Sequence, residues 1–310
     1  MLRILSSGPL SLVQDLGRYG YQNVGVTTGG PMDEHAFLWA NRLLNNAPND
    51  PQIEITLGQF HAEFTKSTMI AITGADMSPS INDIPIKAWQ SYFINAGDKI
   101  KLNNAQTGLR SYLAIKDGFK AQPILNSCST VTRDRLGGLK KNGDKLSDGD
   151  LLDYSETSHQ IINRVPEKFI PNYTQQPLPL FVIPSYQYEL FPKDQQSIFF
   201  SSTYTVSPQI DRMGYRLSGE KIKCRQPGII SEGIALGAIQ IPADGQPIVL
   251  MRDRQTIGGY PKIGCLTNES VCRLAQCQPG SKVRFILKDL FQAEAEYSVE
   301  SIFLKLNNGK

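Results

Sequence analysis

The chain has 310 residues, 40% of them hydrophobic and 20% charged, with a formal net charge of +3. That length can bury a sizeable core, as one large all-β domain or as two smaller lobes, and the composition is that of an ordinary globular protein. The positive charge is mild and dispersed, so it gives no nucleic-acid footprint, and nucleic acid is not an expected partner.

The opening segment, MLRILSSGPLSLVQD, lacks the sustained apolar stretch and small-residue cleavage site of a signal peptide, and its polar punctuation suits a first strand and turn. No apolar run approaches the roughly 20 residues that span a bilayer, so no membrane is expected. Asp33 is placed to cap a helix near 33–46 through EHAFLWANRLLNN. Phe37, Ala40 and Leu44 share one face, and Asn45, Asn46 and Pro48 end it. The rest reads as short strands between turns: TMIAIT, DKIKL, RSYLAI, LFVIP, SIFFSSTYTVS, GAIQIP, PIVLM and KVRFILK. A second helix is expected from about Asp289, where Leu290, Ala293, Tyr297 and Leu304 recur at helical spacing. The pattern is mainly β with few helices, and many short strands favour a barrel or sandwich. The polar, proline-bearing stretch at 155–180 is the expected linker between an N-terminal lobe (1–160) and a C-terminal lobe (161–310).

The five cysteines, Cys128, Cys224, Cys265, Cys272 and Cys277, are odd in number and scattered, which reads as reduced thiols in the cytoplasm. Cys265, Cys272 and Cys277 lack a paired CxxC and a nearby histidine, so a structural zinc set is not expected. His35, His61 and His159 stand far apart.

There is no GxxxxGK[ST] loop and no GxGxxG after a strand. Asp76, beyond MIAIT, can accept a proton from a substrate or simply close an Asx turn. In LNSCSTVTRDR the hydroxyls of Ser127, Ser129 and Thr130 stand near Arg133 and Arg135, a pattern that suits an anion cradle, with Cys128 as a buried, inert neighbour. Asn142 and Gly143 give a two-residue hairpin signal. In DRMGYRLSG, Arg212 and Arg216 would share a strand face and meet one anion, or else pair with Asp211 and Glu220. From Ser231 to Gly264, glycines, arginines, carboxylates and glutamines interrupt short apolar runs. PIVLMRD reads as a strand delivering Asp253, Arg254 and Gln255 to a loop shaped by Gly258 and Gly259 before Tyr260. By spacing alone that stretch is an ordered hairpin with Asp253 paired to Arg252 or Arg254.

Taken in order from about Leu12 to Gly264, LVQDLGRYGYQ, GGPMDEHAFLWAN, IEITLG, ITGAD, RSYLAI, SCST followed by GGL, DRMGYRL and GQPIVLMRDRQTIGGYPKIG resemble the family of 5-oxoprolinase C subunits. That family is also called KipA or allophanate hydrolase subunit 2-like, within the biotin-dependent carboxyltransferase group. The resemblance implies a cyclophilin-like β-barrel architecture. It also implies a cytoplasmic complex with subunits A and B, the latter KipI-like, that opens 5-oxoproline to L-glutamate using ATP, with any Mg2+ bound by the complex. Such a reaction needs donors for developing oxyanion and phosphoryl charge. On this reading Arg133, Arg212 and Arg216 bind carboxylate or phosphate. Asp76 or Asp253 moves a proton or contacts a metal, and Gln255 and Tyr260 orient the substrate beside Gly258 and Gly259. One departure is GGLKKNGDKL, where the family commonly carries an arginine; Lys140 or Lys141 would supply charge but not a bidentate fork. Two alternatives stay open. One is a biotin-dependent carboxyltransferase subunit acting on urea or a related amide, its biotin carried elsewhere because no AMKM-type motif occurs here. The other is a KipA-like regulator that binds a KipI-like partner.

Overall fold

Side chains alternating between the two faces of each strand set the layers of the first half. The computed structural model describes residues 1–160, 162–226 and 228–305. Eleven short strands precede residue 153: β1 (Leu2–Ser7), β2 (Leu10–Gln14), β3 (Gln52–Thr56), β4 (Phe60–Phe64), β5 (Thr68–Asp76), β6 (Ser80–Ile81), β7 (Ile84–Pro85), β8 (Gln90–Ile94), β9 (Lys99–Leu102), β10 (Thr107–Ile115) and β11 (Leu151–Leu152). They form two sheets, ordered β11-β1-β4-β9-β6-β7 and β2-β3-β10-β5-β8. In β5 and β10, Ile70, Ile72, Leu113 and Ile115 pack with Leu2, Ile4, Phe60 and Ile100 of the other sheet. The intervening Met69, Ala71, Tyr112 and Ala114 pack instead with Phe37, Ala40 and Leu44 around helix α1 (Glu34–Leu43). A period of two thus faces a sheet on one side and a helix on the other, which is why these strands read as continuous apolar runs.

Helix α1 begins where expected, with the Asp33 carboxylate accepting from the Ala36 N–H at 3.0 Å. At the far end of β5, Gly74 has φ +89°, and a Cβ there would lie 2.4 Å from the Arg110 carbonyl oxygen of β10. Glycine alone lets the two backbones approach this closely where the ladder register shifts.

The second half contains β12 (Leu178–Pro184), β13 (Thr203–Ile210), β14 (Gly214–Ser218), β15 (Glu232–Gly233), β16 (Ala238–Gln240), β17 (Ile248–Leu250), β18 (Ile257–Gly258), β19 (Lys262–Leu266) and β20 (Lys282–Leu287). Seven of them close a barrel in the order β12-β19-β16-β17-β14-β13-β20, antiparallel except for the β12–β20 pair, while β15 and β18 form a separate two-stranded ribbon. The barrel architecture implied by the resemblance is therefore present, and closure leaves those strands without a free edge.

The chain divides into two compact units, and the division does not follow chain order alone. One holds Met1–Tyr19, Gly29–Tyr173 and the described residues from Ser301; the other holds Gly20–Thr28 and Thr174–Glu300.

Two helices differ from the sequence reading. SIFFSSTYTVS is not one strand: α2 (Lys193–Ser201) takes its first half and β13 begins at Thr203. Pro192 stands at the N-cap, the side-chain amide of Gln196 donates to the Phe191 carbonyl at 2.9 Å, and Phe199 stacks on Phe285 of β20 at 4.3 Å. Those tertiary contacts outweigh the strand preference of the aromatic pair. The other, α3 (Asn268–Leu274), is capped by Thr267 and spans only seven residues, too few for a helical period to register. The expected C-terminal helix is α4 (Leu290–Lys305). The Asn142–Gly143 signal yields isolated bridges rather than a strand ladder.

Candidate functional site

Two polar networks are built on the stretch from Ser231 to Gly264. The first begins where β17 ends. The backbone turns through Met251, Arg252, Asp253 and Arg254, all buried, and is stitched to the bend before β14 by Met251 N–H to Met213 O at 2.9 Å and Asp253 N–H to Arg212 O at 2.8 Å. That register brings Arg212 against Asp253 in a bidentate pair, with Nε to Oδ2 at 2.8 Å and Nη2 to Oδ1 at 3.0 Å, both side chains nearly inaccessible. Such a fork fixes geometry as well as charge. Arg254 donates to backbone carbonyls, from Nε to Ile234 at 3.0 Å and from Nη1 to Met251 at 3.3 Å. Asp253 is thus held by Arg212, a partner 41 residues away that adjacency did not suggest.

The second network lies under the β15–β18 ribbon, in which Glu232 pairs with Gly258 and Gly233 with Ile257. The Glu232 carboxylate accepts from Gln187 Nε2 at 2.8 Å and from the Tyr186 hydroxyl, and it lies against the Lys262 ammonium. Gln187 is fixed in turn because its Oε1 accepts from the Lys262 backbone N–H at 2.8 Å while Nε2 also reaches the Tyr186 hydroxyl at 2.8 Å. Lys262, foremost among these partners, holds the Glu232 carboxyl below its ordinary value, and the same carboxylate raises Tyr186. The result is a buried lysine with its counter-charge and a carboxamide locked in one orientation. That set is charge-balanced and internally bonded, and it fixes the position of the Lys262 side chain.

The other residues singled out from sequence are distributed more widely. Asp76 ends β5, is exposed, and accepts from the Ser78 N–H at 2.8 Å, which is the Asx turn. Arg133 is exposed beside Asp134 at 3.8 Å. Arg216 pairs with Asp244 at 2.8 Å, and because Arg212 lies outside β14 the two arginines meet different carboxylates. Gln255 is partly buried, and Tyr260 is 46% exposed. Gly258 belongs to the ribbon, and Gly259 accepts from Ile229 N–H at 2.8 Å. Asp76 and Arg133 belong to the first unit, whereas Arg212, Arg216, Asp253, Gln255, Gly258, Gly259 and Tyr260 belong to the second. Cys128 is buried, its thiol donating to Ala121 O at 3.2 Å, and burial, with the Asp15 charge behind it, pushes its pKa up to about 11. Ser127 and Ser129 bond Asp15, each at 2.6 Å, so this segment is tied to β2's exit.

Sequence reasoning missed Tyr186, Gln187, Glu232 and Lys262. Glu232 and Lys262 stand in the dense stretch, 30 positions apart, and nothing in their local spacing joins them; the ribbon does.

A two-sheet unit together with a closed barrel matches the family described as "Carboxyltransferase domain, subdomain A and B" over residues 24–287. The fold and the polar barrel site thus define a carboxyltransferase-domain protein. The chain is 35% identical to the 5-oxoprolinase C subunit of Escherichia coli K12 over 294 residues, 94% of this chain and 93% of that protein. It is also 35% identical to the 5-oxoprolinase C subunit of Haemophilus influenzae, over 98% of this chain and 96% of that one. With such relatives matched over nearly their full length, the chain belongs to the family of 5-oxoprolinase C subunits. A more distant likeness is the crystal structure of the Kluyveromyces lactis urea amidolyase, with TM-score 0.90 and 26% identity over 99% of this chain but 20% of that one.

Proposed function

We propose that this chain is the C subunit of a 5-oxoprolinase, acting with subunits A and B in the cytoplasm to open 5-oxoproline to L-glutamate at the expense of ATP. The carrying observation is the reciprocal, near full-length identity with two proteins named as 5-oxoprolinase C subunits. A five-membered lactam is an unactivated amide. Transfer of the terminal phosphoryl group of ATP to its carbonyl oxygen releases ADP and creates a better electrophile. Water adds at that carbon, and the C–N bond breaks to free the ring nitrogen as an amine. A second water hydrolyses the resulting acyl phosphate to the carboxylate and inorganic phosphate.

An anion reaching Arg212, Arg216 or Arg133 would compete with the carboxylate each already faces. Arg212 is locked on Asp253, Arg216 faces Asp244 and Arg133 faces Asp134. No ATP step is therefore assigned to them, and nucleotide with its Mg2+ belongs to the assembled complex. What this chain contributes is the charge-balanced polar network of Lys262, Glu232 and Gln187, which would face the amide. Asp253, in the neighbouring stretch of chain, acts as the fixed partner of Arg212, and Gln255 and Tyr260 lie on either side of β18 in sequence.

The test is reconstitution with subunits A and B, ATP and 5-oxoproline, measuring glutamate while each component is omitted in turn. Glutamate formation should require this chain; undiminished turnover without it refutes the proposal. The likeness to urea amidolyase favours a second reading, carboxyl transfer to an amide from a biotin carried on another protein. Carboxylation that depends on a biotinylated partner, with no ring opening, would select it.

A further inference from the structure

Gln240 closes β16 directly opposite Lys262 of β19, so the two side chains share one face of the antiparallel pair. They are 2% and 6% exposed. The β15–β18 ribbon covers that face, with Glu232 reaching Lys262 and Gly258 approaching Gln240. A Cβ built at Gly258 would have as its nearest atoms Ile234 Cδ1 at 2.5 Å, Gln240 Nε2 at 3.1 Å and Gln255 Nε2 at 3.5 Å, a methyl and two amide donors with no acceptor among them. Gln240 Nε2 has no hydrogen-bond partner among the described residues. A buried amide donor in that state is costly, and natural proteins keep few of them.

We propose that Gln240 Nε2 and Lys262 Nζ form a subsite for the carbonyl oxygen of a small neutral amide beside Gly258. The donor excess specifies an acceptor oxygen. The charge of Lys262 is already matched by Glu232, so the subsite suits a neutral carbonyl and not a phosphate. Gly258 is required because a side chain would crowd the donor. The identity of the amide, the lactam of 5-oxoproline, rests on the function proposed above.

The test uses the complex with subunits A and B and the neutral lactam 2-pyrrolidinone as probe, followed by saturation-transfer NMR. Binding should weaken by about ten-fold or more in Gln240→Leu and Gly258→Ala, since a site that loses a polar partner rejects its ligand strongly. Gln240→Glu, which keeps the volume but turns the donor into an acceptor, guards against a folding defect, and melting temperature is followed for all three. Absence of 2-pyrrolidinone binding to the wild-type complex, or wild-type binding in folded variants, overturns the subsite. In turnover, Gln240→Glu should raise the 5-oxoproline KM by about ten-fold and leave the ATP KM unchanged; an unchanged 5-oxoproline KM also overturns it. If the complex makes no glutamate yet binds 2-pyrrolidinone through Gln240, the subsite stands and the 5-oxoprolinase assignment falls.

Discussion

At the scale of single residues, the buried Arg212–Asp253 fork is the most sharply defined interaction of the second unit. Removing one member takes the bidentate counter-charge from the other. Asp253→Asn should therefore destabilise the protein by roughly 3–5 kcal/mol, read as a lower denaturant midpoint, since a buried unpaired charge is costly. Glu232 is a different case, because Lys262 and its other partners favour its charged form and depress its pKa in the folded state below the ordinary 4.5. A depressed carboxyl adds stability above the unfolded value and loses it as pH falls through the folded one. Wild type should thus exceed Glu232→Gln in stability at pH 5 to 7, and the two should converge as the pH drops below 4.5, in denaturation series across that window. A pH-independent difference would show that the carboxylate's ionisation is not what matters. Sequence named Arg212 and Asp253 as chemically notable, but the pairing between them follows from the β14–β17 register, 41 residues apart in the chain.

At the scale of elements, legibility tracked length and local signals. Helix α1 was readable because a ten-residue amphipathic period begins one position after a capping aspartate. Asp33→Ala should cost about 1 kcal/mol from the lost cap, with more where its contact to Tyr173 at 3.1 Å is also lost, measured by thermal or denaturant unfolding. The strands with β-branched residues between turn residues were equally plain. Helix α2 was not, since Ile198, Phe199 and Phe200 carry strand preference, and only the stacking of Phe199 on Phe285 and the Gln196 bond to Phe191 settle the matter. The β15–β18 ribbon was likewise invisible, because each strand has two residues and its pairing is entirely long-range.

At the scale of the whole molecule, the chain does not fold as two consecutive halves. The last turn of α4 serves the first unit: Leu304 is buried in the cluster around α1, and Phe303 stacks on Phe169 at 5.3 Å. Leu304→Ala should cost about 2–5 kcal/mol, the usual range for a large-to-small core change, whereas Val299→Ala, on an exposed position of the same helix, should stay near neutral. Equal effects in chemical denaturation would contradict that division of labour. Among the described residues no helix is long and apolar enough to cross a membrane.

The sequence by itself determined the mainly β class, the capped first helix and the family, because these rest on local periodicity and on motifs kept in order along the chain. Only the tertiary structure decided which polar groups meet. The Asp76 carboxylate closes its own turn, Arg212 finds Asp253, and Lys262, Glu232, Gln187 and Gln240 gather under a two-residue ribbon. The physical reason is that a site is a set of distances, and ladder register, barrel closure and a glycine's close approach fix those distances between residues that the chain keeps far apart.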